Sequence, residues 1–203
     1  MPRKHYLTMK KVYTLLVVLF AALCINAQET TTLYLLHEFM HVDEVNQSEY
    51  WEVEEFWSKI HKQRIADGNI IGWDLWELTP SGSEQGPQYM VTTFFTNLET
   101  MLGGIPDDKF DEYLNKAHSS LNDKEIKEMF EKTSKSRNLT HQIFTKQING
   151  TGSLGSMKVG TLMKFDVMKQ TDSNYPIMED QIFKPWHAKE VEQSKKLNWG
   201  LIE

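Results

Sequence analysis

His37-Glu38-Phe39-Met40-His41 is the stretch whose residue types point most directly to chemistry. On a helix, histidines four apart share one face and hold Zn²⁺, while the glutamate beside them activates water. The residues just before it, Leu33-Tyr34-Leu35-Leu36, read instead as a strand. In a strand the two histidines still share a face, but Glu38 points to the other one, and no third ligand stands at a recognisable spacing. Three readings follow: a zinc-dependent hydrolase through His37, Glu38 and His41, a polar site built on the two histidines, or histidines that line or flank an apolar interior. The last is preferred, and no metal site is assigned. His61 has Trp57 and Ile65 four residues away, and His187 has Phe183 and Val191. An imidazole so placed reaches a cavity as general acid, base or hydrogen-bond donor, or bonds to backbone at the core edge. The catalytic candidates are therefore His37, His41 and His61. No Gly-rich phosphate loop or nucleophile elbow is present, and no cofactor is expected.

The elements that must position these residues begin after a leader. Arg3, Lys4, Lys10 and Lys11 precede an apolar run from Val12 to Ile25, and Asn26-Ala27 leads into polar sequence. That order predicts a signal peptide over 1–27, too short in its core for a comfortable membrane span. The protein is expected in the periplasm or outside the cell, with no transmembrane segment after cleavage. The style of the leader resembles exported proteins of Bacteroidota-type bacteria. The full chain has 203 residues and a net charge of −6; removing the leader leaves 176 residues at −10. So acidic a surface excludes a broad nucleic-acid partner. The only cysteine, Cys24, goes with the leader, which excludes thiol catalysis and a disulfide framework.

Period-two alternation predicts a strand over 30–42, and Tyr50, Val53, Phe56, Trp57, Ile60 and Ile65 predict a helix over 48–66. Strands over 70–78 and 89–95 follow, then helical sequence over 98–102 and 107–136 with a break near Ser119-Ser120, and a strand over 139–148. This is a β-α-β-β-α-β module, 28–148 with its leading residues, of the ferredoxin-like kind. Residues 149–157, rich in Gly and Ser, read as a flexible linker. A second start follows over 158–203: a strand near 158–168, a helix near 174–195 and part of a strand over 197–203. Shifting the first module by 126 residues brings Leu36 onto Leu162, Phe39 onto Phe165, His61 onto His187, Trp73 onto Trp199 and Leu75 onto Leu201. The expected architecture is α+β: a ferredoxin-like βαββαβ module followed by an incomplete second βαβ module. By the repeat it lacks about 70 residues, and the chain is read as truncated, or as completed by a second chain.

The passage Glu55–Trp76, with Phe56, Trp57, Ile60 and His61 on a helix and Trp73, Leu75 and Trp76 on a strand, resembles the dimeric α/β-barrel superfamily. That superfamily includes antibiotic-biosynthesis monooxygenases, stress-responsive barrels and NIPSNAP-like proteins. The resemblance implies a tandem barrel and, from its cofactor-free oxygenases, an aromatic-lined cavity for a flat substrate. Trp57, Trp73 and His187 are the ligand-binding candidates on that footing, with core packing as the plainer account of the tryptophans. The expected function is an exported small-molecule-binding or interaction protein with a small aromatic ligand as a partner. A cofactor-free monooxygenase is the alternative.

Overall fold

The computed structural model describes residues 32–79, 84, 86–152 and 157–203, so the expected signal peptide lies outside the described residues. Thr32 to Glu203 forms one compact unit. Strand β1 (Tyr34–His41) leads through a short 3-10 turn into helix α1 (Gln47–Ala66). Tyr50, Val53, Phe56 and Ile60 are buried at steps of three and four residues, the stripe that lays one helix face on a core. The helix stops at Gly68, whose φ of 74° lets its N–H reach the Ile65 carbonyl while the Asn69 N–H reaches that of Arg64. A side chain there would strain this left-handed closure.

Strand β2 (Gly72–Glu77) and strand β3 (Tyr89–Phe95) follow, and every residue of β3 is buried. Helices α2 (Leu98–Gly103), α3 (Asp107–Ala117) and α4 (Asp123–Ser136) come next, with the expected break between the last two. The Asn122 side chain accepts from the Glu125 backbone N–H, and Glu125 returns a bond to the Asn122 N–H, so α4 opens on a capping box. Strand β4 (Asn138–Gly150) closes the first part.

The sheet runs β2-β3-β1-β4-β5 with every neighbouring pair antiparallel. Strand β3 lies between β1 and β2, and β1 lies between β3 and β4. The α+β architecture is consistent with a ferredoxin-like fold. Val53, Phe56 and Ile60 of α1 pack with Tyr113, Leu114 and Met129 of α3 and α4. Met40, Val42, Tyr50 and Tyr89 join this layer to one face of the sheet.

The second part differs from expectation in two places. Residues 158–168 form no strand. Strand β5 (Gly200–Ile202) pairs only with the far end of β4, at Gln147–Gly150, and the backbone bonds of 158–168 among the described residues stay within the segment, as from Thr161 N–H to Lys158 O. The expected 149–157 linker is also not wholly a linker, since Asn149 and Gly150 belong to β4 and pair with Leu201 and Gly200. A Cβ on Gly152 would collide with Asn198, so this glycine serves a close approach of two chain segments. The expected helix is present as α5 (Tyr175–Met178), a π-helical turn (Glu179–Phe183) and α6 (Lys184–Glu192) in succession. Pro185 has no N–H for the Gln181 carbonyl and would clash with it in regular α-helix, which accounts for the widened turn just before it.

Candidate functional site

Residues opposite one another on neighbouring strands point the same way, so register sorts the candidates by face. Leu36, Thr93 and Trp73 form one row, and Leu36 and Trp73 pack against Ile70, Phe95 and Met101 on the helix side. His37, Thr92 and Asp74 form the next row and face away from the helices. Thr145 of β4 reaches the same group. One polar residue from each of β2, β3, β1 and β4 thus makes a strip across four adjacent strands.

His37 is 3% exposed. Its Nδ1 lies 3.0 Å from Thr92 Oγ1, and its Nε2 lies 3.2 Å from Thr145 Oγ1. Buried Leu35, Phe39, Met90 and Phe94 stand on the same face. Burial pushes the His37 pKa down to about 4, so the ring is neutral at pH 7. A neutral imidazole has one N–H and one bare nitrogen, so it donates one of these bonds and accepts the other. One threonine spends its hydroxyl proton on the ring, and the other keeps its proton for a further acceptor. Asp74 stands beyond Thr92 in the row, with its carboxyl pKa raised by loss of water. The Phe165 ring lies 5.6 Å from the imidazole, tilted by 56°.

His41 does not join this group. Strand rise is about 3.3 Å per residue, so His37 and His41 stand about 13 Å apart along β1, whereas two nitrogens on one zinc each lie about 2.1 Å from it. His41 instead meets Asp43 at 3.4 Å and Gln88 at 3.5 Å. Glu38 is on the opposite face, where it accepts a 2.9 Å bond from Gln142 Nε2. Among the described residues no group of three or more His, Cys, Asp or Glu is placed to hold a metal ion.

His61 is also apart from His37, because it lies on the helix side. Its ring stacks on Trp73 with centroids 5.1 Å apart, and its Nδ1 lies 3.3 Å from Arg64 Nη1. Burial, aided by Arg64, lowers its pKa to about 3. Trp57 donates its indole N–H to Thr133 Oγ1 at 3.1 Å and lies among Phe56, Phe110 and Phe130. Trp57 and Trp73 are thus packing residues of the helix side. His187 stacks on Trp199 at 4.9 Å and accepts from Lys196 Nζ at 2.7 Å. The His61–Trp73 and His187–Trp199 stacks stand 126 residues apart in sequence.

Sequence reasoning passed over Thr92, Thr145 and Asp74, and gave Phe165 only a place in the repeat. The available signal was polarity out of place: Thr92 inside the apolar run Tyr89–Phe95, and Asp74 between Trp73 and Leu75.

No family model matches the chain, and no curated protein matches it. One solved structure, described as a "Putative Chlorite dismutase", superposes with a TM-score of 0.34 and 7% identity over 58% of this chain and 45% of that one. The overlap spans less than half of that protein's length, and a likeness at this level carries no functional argument.

Proposed function

We propose that this chain is a binding module that receives a small, uncharged, hydrogen-bonding molecule on the sheet face that carries His37. The observation behind this reading is the strip Asp74, Thr92, His37 and Thr145, set among buried apolar side chains with a hydroxyl proton left over. Buried polar groups ordinarily spend their hydrogen bonds, and a leftover donor at an apolar surface is what orients a small ligand. The charge balance of the strip disfavours an anion, because Asp74 is its only acid and His37 is neutral.

The cofactor-free oxygenase stands second. Such a reaction needs a base effective near neutral pH, and an imidazole with a pKa of about 4 is a weak one. His41 and His61 offer no second base on the strip. The zinc hydrolase reading is not carried forward, given the spacing of His37 and His41 along a strand.

A fragment screen followed by amide NMR tests the proposal. Shifts are expected to concentrate at His37, Thr92 and Thr145 and to vanish in His37→Phe. Hits that map elsewhere, or a library of planar hydroxylated and carbonyl compounds that leaves those amides unmoved, would overturn it. Export rests on the basic, apolar and polar order of residues 1–27; protein recovered outside the inner membrane should lack them by mass. The tandem relation of the two parts draws its support from the paired His–Trp stacks.

A further inference from the structure

The segment 157–171 crosses the His37 face without joining the sheet. Its hydrogen bonds among the described residues are local: Thr161 N–H to Lys158 O, Lys158 N–H to Thr161 Oγ1, Gln170 Nε2 to Asp172 O, and Tyr175 O–H to Met168 Sδ. Lys164 and Asp166 pair with each other at 3.0 Å, in water. Val159, Leu162, Val167 and Met168 are exposed, while Phe165 rests against the imidazole. Lifting this segment would therefore break no sheet hydrogen bond. It would uncover a neutral, hydrogen-bonding ring that Phe165 now shields.

We propose that Phe165 is a resident plug, and that the ligand of the strip is a flat, uncharged aromatic molecule of one or two rings with a hydroxyl or carbonyl, which takes the place of the Phe165 ring over His37. This inference rests on the binding function proposed above and adds to it the ligand class and the residue that guards the site. The ring supplies the same tilted aromatic contact that the imidazole now makes. The ligand's oxygen meets the spare threonine proton, a bond that Phe165 cannot make. Discrimination follows from that difference, because an aliphatic molecule loses the ring contact and a plain hydrocarbon loses the bond.

The test uses the full chain and three forms of it: wild type, Phe165→Ala and His37→Phe. Phe165 is off the sheet and 37% exposed, so Phe165→Ala is expected to fold, with its circular dichroism melt as the check. Histidine-ring NMR gives the His37 titration, and calorimetry gives the affinity for 2-naphthol as probe. Asp74, His41 and His141 on this face and Lys164 and Asp166 beside Phe165 in the covering segment also carry ionisable groups, so the titration is read at the His37 ring resonances themselves. In Phe165→Ala the midpoint should rise from about 4 towards 6.5 as water reaches the ring. Naphthol affinity should rise about fivefold or more, since the open form no longer has to be selected. His37→Phe should abolish binding. If naphthol binds wild type through His37 but Phe165→Ala changes neither titration nor affinity, the plug is overturned and the binding function survives. If no form binds naphthol or a simpler phenol although the titration moves, the binding function falls, and the plug falls with it.

Discussion

Glu54 and Arg137 form an ion pair between α1 and the start of β4, with Glu54 only 3% exposed. Loss of water raises the Glu54 carboxyl pKa, and the Arg137 guanidinium opposes that rise. Removing one partner strands the other's charge. Arg137→Met is expected to cost about 3–5 kcal/mol in urea unfolding, while adding Glu54→Leu should recover most of the loss. A loss in the double variant as large as in the single one would show that packing, not stranded charge, sets the cost. Histidine burial has its own signature. His37 and His61 titrate at about 4 and about 3 when folded and near 6.5 when unfolded. Between those values the unfolded chain binds more protons, so their contribution is fully present above pH about 6.5 and is lost as pH falls towards 4 and then 3. Each histidine adds a slope of up to about 1.4 kcal/mol per pH unit. Glu54, with its raised pKa, works in the opposite sense as pH rises past 4.5. His37→Gln should therefore flatten the fall in stability between pH 6.5 and 4; an unchanged profile would mean that the ring is not shielded.

Among the elements, β5 depends on a neighbour with little side chain. Thr151 N–H bonds to the Trp199 carbonyl at 2.9 Å, and Trp199 N–H bonds to Thr151 Oγ1 at 3.0 Å. Gly152 lies beside Asn198 at this contact, and an added methyl meets it directly. Gly152→Ala should destabilise by about 1–3 kcal/mol. Its effect should appear first as faster amide exchange at Lys146 and Glu203, whose backbones exchange bonds at the sheet edge. Equal protection in the variant would show that the segments can part without loss. The Gly-Ser composition of 149–157 was readable as flexibility, but composition does not report what a glycine stands next to. The strand expected over 158–168 failed for a related reason: β-branched and apolar alternation marks a willing strand, but a strand also needs a backbone partner, which local sequence does not specify.

For the molecule as a whole, apolar burial is uneven. The layer formed by α1, α3, α4 and the sheet closes around Val53 and Ile60, both fully buried, whereas Leu162, Val167, Ile182, Phe183 and Trp186 remain exposed. A surface of this kind binds apolar dyes. Wild-type protein should brighten such a dye, and Ile182→Ser with Trp186→Ser should cut the signal by about half or more. A Leu102→Ser control, also exposed but on α2, should leave it nearly unchanged. If the control dims the dye as much, the apolar surface is not concentrated in the second part. Ile60→Ala, in the closed layer, should cost about 2–5 kcal/mol by thermal or urea unfolding.

Much of the architecture was legible in the chain because helix and strand periods are local. Residues 48–66 and 89–95 carry their periodicity within themselves, and the structure places α1 at Gln47–Ala66 and β3 at Tyr89–Phe95. The site was legible only in part. His37 stood out by type, and alternation along β1 placed Glu38 on the opposite face. The neighbours of His37 belonged to no local pattern: Thr145 is 108 residues away and Thr92 is 55. Only register between distant strands brings them to one ring. Packing of α1 on the sheet put His61 on the opposite side, stacked on Trp73 and apart from the strip. Local spacing determines which way a side chain points from its own element. The pairing of elements decides what it meets there, because a shift of one residue would turn the whole strip over.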